Sequence, residues 1–155
     1  MSDIETIIYN QHPEYIIDER IIKKIIRFLQ QIEQTEIKKL TIIISTDQHL
    51  NRLKQEFYDQ DVLTDTISFN LNEPDEPVDG EIYISADRIV ANAKKYEIKS
   101  EREFANVLIH SVLHTIGYED GDDQSRKKMF ALQEKYLAEI EYQGIFTKRE
   151  DSENE

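Results

Sequence analysis

Two histidines stand four residues apart in "HSVLHTIGYED" (residues 110–120), with a glycine at 117 and an aspartate at 120. Imidazole and carboxylate groups ligate borderline metal ions, and the chain has no cysteine to offer a thiolate instead. On a helix, positions i and i+4 lie about 40° apart around the axis and about 6 Å along it, so His110 and His114 can point at one ion. Gly117 can end the helix and turn the chain. Asp120 follows six residues after His114, far enough to swing back as a third ligand. Two imidazoles and a carboxylate leave an open position for water, as in catalytic zinc sites. Position 111 is Ser, so the general base of an H-E-x-x-H protease is missing and that enzyme class is disfavoured. The bland alternative stays open at this point: a helix end that contains two histidines. His12 and His49 fit no ligand pattern and read as surface residues.

The helix that must carry the pair has its own signature. Phe104, Ala105, Val107, Leu108, Ile109, Val112, Leu113 and Ile116 cover most of its circumference, which predicts a buried helix over about 101–116. Asn106, His110, Ser111 and His114 form a polar stripe on it. Unpaired buried polar groups cost a few kcal/mol, so this stripe needs partners or a cleft. Ser100 and Glu103 match the S-x-x-E capping box at its start.

Around it, "IETIIYN" (4–10) reads as a first strand and "KLTIIIST" (39–46) as a central, two-sided one. Asp18 can cap a helix with Ile21, Ile22, Ile25, Ile26, Phe28, Leu29 and Ile32 on a wide apolar face. "TDQHLNRLKQEF" (46–57) predicts a short helix. "TDTISFN" (64–70) and "GEIYIS" (80–85) alternate like strands, joined by an acidic loop with two prolines. Helices follow at about 86–97 and from Asp122, the last with Met129, Leu132, Tyr136, Leu137 and Ile140 inward. The expectation is an α+β fold: a small, mostly parallel mixed β-sheet of about four strands with about five helices, the HxxxH helix central in zincin-like fashion.

The length of 155 residues suits one domain, expected over 1–146. "TKREDSENE" (147–155) is charged and lacks apolar residues, and reads as a frayed, disordered tail. The formal net charge of −13 argues against a charge-driven nucleic-acid binder, and against DNA in particular, though local basic clusters exist around Arg20–Arg27, Arg88–Lys99 and Arg126–Lys128. No apolar run approaches the ~20 residues of a membrane span, and no signal peptide is evident, so a cytoplasmic location without a membrane partner is expected.

The motifs together resemble a known family. The chain is similar to the bacterial rRNA-maturation endoribonucleases of the YbeY type, whose signature H-G-x-L-H-L-x-G-Y-D-H is matched by residues 110–120. "TDTISF" (64–69), "GEIYIS" (80–85), and Leu50 with Asn51 match further blocks in the right order. The resemblance implies a zinc-dependent, single-strand-specific endoribonuclease of rRNA processing and ribosome maturation. It implies one Zn²⁺ per chain and partners among single-stranded rRNA, the small ribosomal subunit and its assembly factors. Carried over by position, His110 and His114 are metal ligands and Asp120 stands where the third ligand is a histidine. His114 also counts as catalytic, while Asp65 and Ser68 would position water or the scissile phosphate. Two departures matter. The arginine usually found six residues before the T-D block is Tyr58 here, and a tyrosine cannot supply a bidentate cationic fork. Ser111 replaces the usual glycine and would put a hydroxyl near the site. A metal-dependent hydrolase of another substrate and a non-catalytic ribosome-associated module are the competing readings.

Overall fold

The computed structural model describes residues 3–149. Those residues contain five α-helices, a four-stranded sheet and a two-stranded one. The chain runs β1 (Glu5–Asn10), β2 (Tyr15–Ile17), α1 (Glu19–Glu33), β3 (Ile37–Ser45), α2 (Asp47–Tyr58), β4 (Thr66–Asn70), β5 (Val78–Ser85), α3 (Ala86–Tyr96), α4 (Ser100–Thr115), α5 (Asp123–Leu137) and β6 (Phe146–Lys148). The larger sheet has the order β1-β3-β5-β4, with β1, β3 and β5 parallel and β4 antiparallel to β5. This is the expected α+β architecture. Helical crossovers keep the apolar strands parallel, and the β4–β5 hairpin adds the reversed edge.

The α4-bearing face of the sheet holds the main core. Leu40, Ile42 and Ile44 of β3 and Ile82 and Ile84 of β5 are fully buried in one cluster with Ile22, Ile25, Ile26 and Leu29 of α1. Asp18 caps α1 by accepting from the backbone N–H of Arg20 and of Ile21. Phe104, Ala105, Leu108, Ile109, Val112 and Leu113 of α4 are buried to the last square ångström in the same cluster. Burying several such side chains, at roughly 1.5–3 kcal/mol each, fixes α4 against the sheet far more firmly than its own helix propensity would.

Three close contacts then set where α4 lies. The Asn70 side chain donates to the Thr115 carbonyl at 2.7 Å. The hydroxyls of Thr66 and Ser111 meet at 2.8 Å. Gly80 of β5 lets Thr115 in so closely that a Cβ there would stand 2.5 Å from Thr115 Cγ2. Because strand side chains alternate, Thr66, Ser68 and Asn70 share the side of β4 that faces α4, and Ile67 and Phe69 the other.

Four sequence expectations need correction. The capping box at Ser100 and Glu103 is not formed: Lys99 is the N-cap, it has no side-chain cap bond, and Glu103 is turned inward and buried. Tertiary burial overrides the local pattern there. The tail does not fray from 147, because Phe146–Lys148 pairs antiparallel with Tyr15–Ile17, and Tyr15 stacks on Phe146. Residues 150–155 of that tail lie outside the described residues. His12 is not a surface residue but is 5% exposed. Its Nε2 donates to Asp87 at 2.8 Å and its Nδ1 accepts from the Glu14 backbone at 3.2 Å, so a buried imidazole has both nitrogens satisfied. His49 is half-buried against Tyr83, its Nδ1 2.7 Å from the Ser45 hydroxyl.

Candidate metal centre

The end of α4 is built to bring the chain back toward its own histidines. Gly117 takes a φ of +121°, a conformation that side chains with a Cβ rarely adopt. The Gly117 N–H donates to the His114 carbonyl at 3.1 Å, and the Tyr118 N–H to the Leu113 carbonyl at 3.0 Å. These two bonds are a Schellman closure, which satisfies the last carbonyls and reverses the chain. Asp122 then starts α5 by accepting from the Ser125 N–H at 2.7 Å. Residues 118–121 are thereby a short bridge between two fixed ends, and Asp120 sits on it.

The bridge delivers Asp120 to the histidines. Its Oδ2 is 3.2 Å from His114 Nε2 and 3.7 Å from His110 Nε2. The two imidazoles lie edge to face with centroids 4.6 Å apart. One ligand atom from each of the three residues falls within 4.8 Å of the others. Side-chain exposures of 26% for His110, 28% for His114 and 41% for Asp120 leave one side of the group open to solvent. Two imidazole nitrogens and a carboxylate oxygen, converging with an open side, can hold a divalent metal ion.

The far nitrogens support that use. His110 Nδ1 is 2.8 Å from Gln133 Oε1 of α5, and His114 Nδ1 is 3.0 Å from the Tyr118 carbonyl. With Gln133 Oε1 and the Tyr118 carbonyl as acceptors, each Nδ1 would donate and each Nε2 would be free for a metal ion; without one, the carboxylate of Asp120 is the acceptor that faces His114 Nε2. Such outer partners fix the ring and tautomer of metal-binding histidines. Tyr118 is itself held by its phenol, which donates to Glu33 of α1 at 2.7 Å. Arg126 of α5 donates to the Asp120 carbonyl at 3.3 Å, placing a guanidinium at the rim.

The remaining expected site residues divide. Asp65, just before β4, lies near enough to His110 for the two to interact. Burial pushes its carboxyl up, against the pull of His110 and of the backbone amides of residues 65 and 66. Glu103 is raised in the same way, first by burial and then by Asp65, with Asn106 and Arg102 opposing. Ser68 shares the α4-facing side of β4, but no hydrogen bond or ion pair joins it to the three converging residues. Tyr58 is drawn elsewhere: it stacks on Phe69, on the opposite side of β4, with Lys54 Nζ 4.4 Å over its ring. Ser111 adds no hydroxyl to the metal centre. Fully buried, it faces Thr66 and donates to the Val107 carbonyl.

Sequence reasoning gave Gln133 no role, read Glu103 as a helix cap and took Arg126 only as part of a basic cluster. The signal for Gln133 was present. It sits between Met129 and Tyr136 on the inward face of α5, where an amide needs a partner.

A mixed, mostly parallel sheet under a buried helix that presents two imidazoles to a carboxylate after a glycine stop defines an α+β protein with a single-helix HxxxH group that could hold a metal ion. The family is shown by comparison. Residues 7–141 match the model of the family described as "Endoribonuclease YbeY". The endoribonuclease YbeY of Chloroherpeton thalassium is 35% identical over 135 residues, 87% of this chain and 95% of the relative. That of Chlorobaculum tepidum is 35% identical over 126 residues, covering 81% and 91%. The solution structure of TM1509 from Thermotoga maritima superposes with a TM-score of 0.59 at 29% identity, covering 86% of this chain and 87% of that one. The chain belongs to the endoribonuclease YbeY family.

Proposed function

We propose that this protein is a metal-dependent endoribonuclease that cleaves single-stranded RNA during rRNA maturation, with Zn²⁺ held by His110, His114 and Asp120. The observation that carries this reading is the convergence of both Nε2 atoms on Asp120 Oδ2, at 3.7 and 3.2 Å, in a chain of the endoribonuclease YbeY family. Mixed nitrogen and oxygen donors with one open side suit zinc. Bound there, zinc would supply Lewis acidity and lower the pKa of a water.

The chain's own residues do the rest. Gln133 and the Tyr118 carbonyl keep the imidazoles oriented. Asp65, a buried carboxylate beside His110, is the group placed to orient water and take its proton. Ser68 is a hydroxyl on the same side of β4 for a phosphate oxygen. Arg126, at the Asp120 carbonyl, takes the cationic part that Tyr58 cannot play. The net charge of −13 demands such local contacts, because the whole-molecule field repels RNA. On this reading the protein acts on rRNA in the cytoplasm, with the small ribosomal subunit or its assembly factors as partners. Among the described residues no helix is long and apolar enough to cross a membrane.

A metal-dependent hydrolase acting on another substrate is the second reading, favoured by Tyr58 and the acidic charge. Incubation of single-stranded rRNA segments with wild type, with and without chelator, and with His114→Ala separates the two. Cleavage that stops on chelation and in the variant is expected. Cleavage that survives both overturns the metal mechanism, and metal binding without RNA turnover favours the other substrate or a non-catalytic module.

A further inference from the structure

We propose that Glu103, a buried carboxylate that does not touch the metal centre, is a positioning residue that sets the tautomer of His110 through a relay of two side-chain amides. The proposal rests on the metal reading above and concerns how this chain's own residues prepare one ligand.

The relay is laid out on two helices. Glu103, Asn106 and His110 occupy successive turns of one stripe of α4, and Gln133 of α5 faces them. Gln133 Oε1 is 2.8 Å from His110 Nδ1, and Gln133 Nε2 donates to Asn106 Oδ1 at 3.0 Å. With its oxygen committed to Gln133, the Asn106 amide has its NH₂ left for Glu103, three residues earlier on the same stripe, and it interacts there as a hydrogen-bond donor. Glu103 is 5% exposed and Gln133 is 7% exposed, so water does not compete freely for these groups.

An amide can present either its oxygen or its nitrogen, so Gln133 and Asn106 alone do not choose a direction. A pair of flipped amides would offer Gln133 NH₂ to His110 Nδ1. The imidazole proton would then move to Nε2, where it blocks the lone pair a metal needs. An ionised carboxylate only accepts. Placed at the end of the relay, Glu103 orients the Asn106 NH₂ toward itself, and each following group is forced in turn. Gln133 must face Asn106 with its NH₂, and His110 must donate from Nδ1. The carboxylate that other metal-binding histidines contact directly thus acts here from two turns away. This also gives a reason for an acid buried where a capping box would have left it at the surface.

The test reads the tautomer before any metal is added. In metal-free wild type at alkaline pH, imidazole nitrogen chemical shifts should show His110 protonated at Nδ1. Glu103→Gln, nearly isosteric, should give a mixture of tautomers and a zinc affinity about tenfold weaker. Gln133→Leu cuts the relay with Glu103 in place and should do the same, which keeps the test decisive if Glu103→Gln fails to fold. The double variant Glu103→Gln with Gln133→Glu puts a carboxylate directly on His110 and should restore both tautomer and affinity. A pure Nδ1–H tautomer in both single variants overturns the proposal, as does a folded double variant that is not restored. Because the tautomer is read without metal, a protein that binds no zinc would refute the metal reading and leave this result to stand or fall separately.

Discussion

Gly80 and Thr115 pack tightly between the sheet and the helix that carries His110 and His114: a Cβ on Gly80 would lie 2.5 Å from Thr115 Cγ2. Thr115 is 1% exposed and β-branched, so it cannot move aside cheaply. His114 is the residue before it, so the position of one proposed metal ligand depends on the absence of a side chain on β5. Gly80→Ala should destabilise the fold by about 1–3 kcal/mol through overpacking and weaken zinc binding as α4 is displaced. Denaturant unfolding and zinc titration check this, and a variant with wild-type stability would show that the helix is not seated there.

The Thr66 and Ser111 hydroxyls are engaged in three contacts with only two protons: with each other, with the Tyr83 carbonyl and with the Val107 carbonyl. Ser111→Ala should cost about 1 kcal/mol in denaturant unfolding. It should leave zinc affinity unchanged, because the hydroxyl faces β4 rather than the ligands.

Arg126 donates to the Asp120 carbonyl from the rim. Arg126→Ala should lower kcat/KM on single-stranded RNA about tenfold, the loss of one charge-assisted phosphate contact, with zinc content intact. Retained activity would move the cationic role to another side chain.

Two phenols, Tyr118 and Tyr136, both donate to Glu33. The ionic partner and burial push Tyr118 up to about 12 from 10.0, and burial and Glu33 push Tyr136 up as well. A folded pKa above the unfolded one stabilises the protein fully below pH 10 and loses that contribution as pH rises through about 12. Stability should therefore fall over that window, and Glu33→Gln should bring Tyr118 back toward 10.0 in a phenolate absorbance titration. A titration unmoved by the substitution would remove Glu33 as the cause.

Legibility followed the range of the forces involved. Elements marked by periodicity and local caps, such as α1 behind Asp18, α5 behind Asp122 and the β3 run, could be read directly from the chain. So could the His110, His114 and Asp120 group, because its spacing lies within one helix end and one turn. What depended on distant partners could not. β2 and β6 are three residues each and exist only by pairing across the length of the chain. Glu103 looked like a cap because S-x-x-E is a local rule, yet its surroundings are Asn106 and Asp65. His12 gave no pattern because Asp87, its partner, is 75 residues away. Tyr58 announced the loss of an arginine but not that its ring would settle on Phe69.

The central claim is the metal centre itself, and elemental mass spectrometry of metal per chain tests it most directly. Wild type, His114→Ala and Asp120→Ala would be measured side by side. About one zinc per wild-type chain, lost in both variants, is the expected result for a three-ligand site. Wild type without metal, or zinc retained in both variants, would contradict it and reduce residues 110–120 to a helix end that holds two histidines.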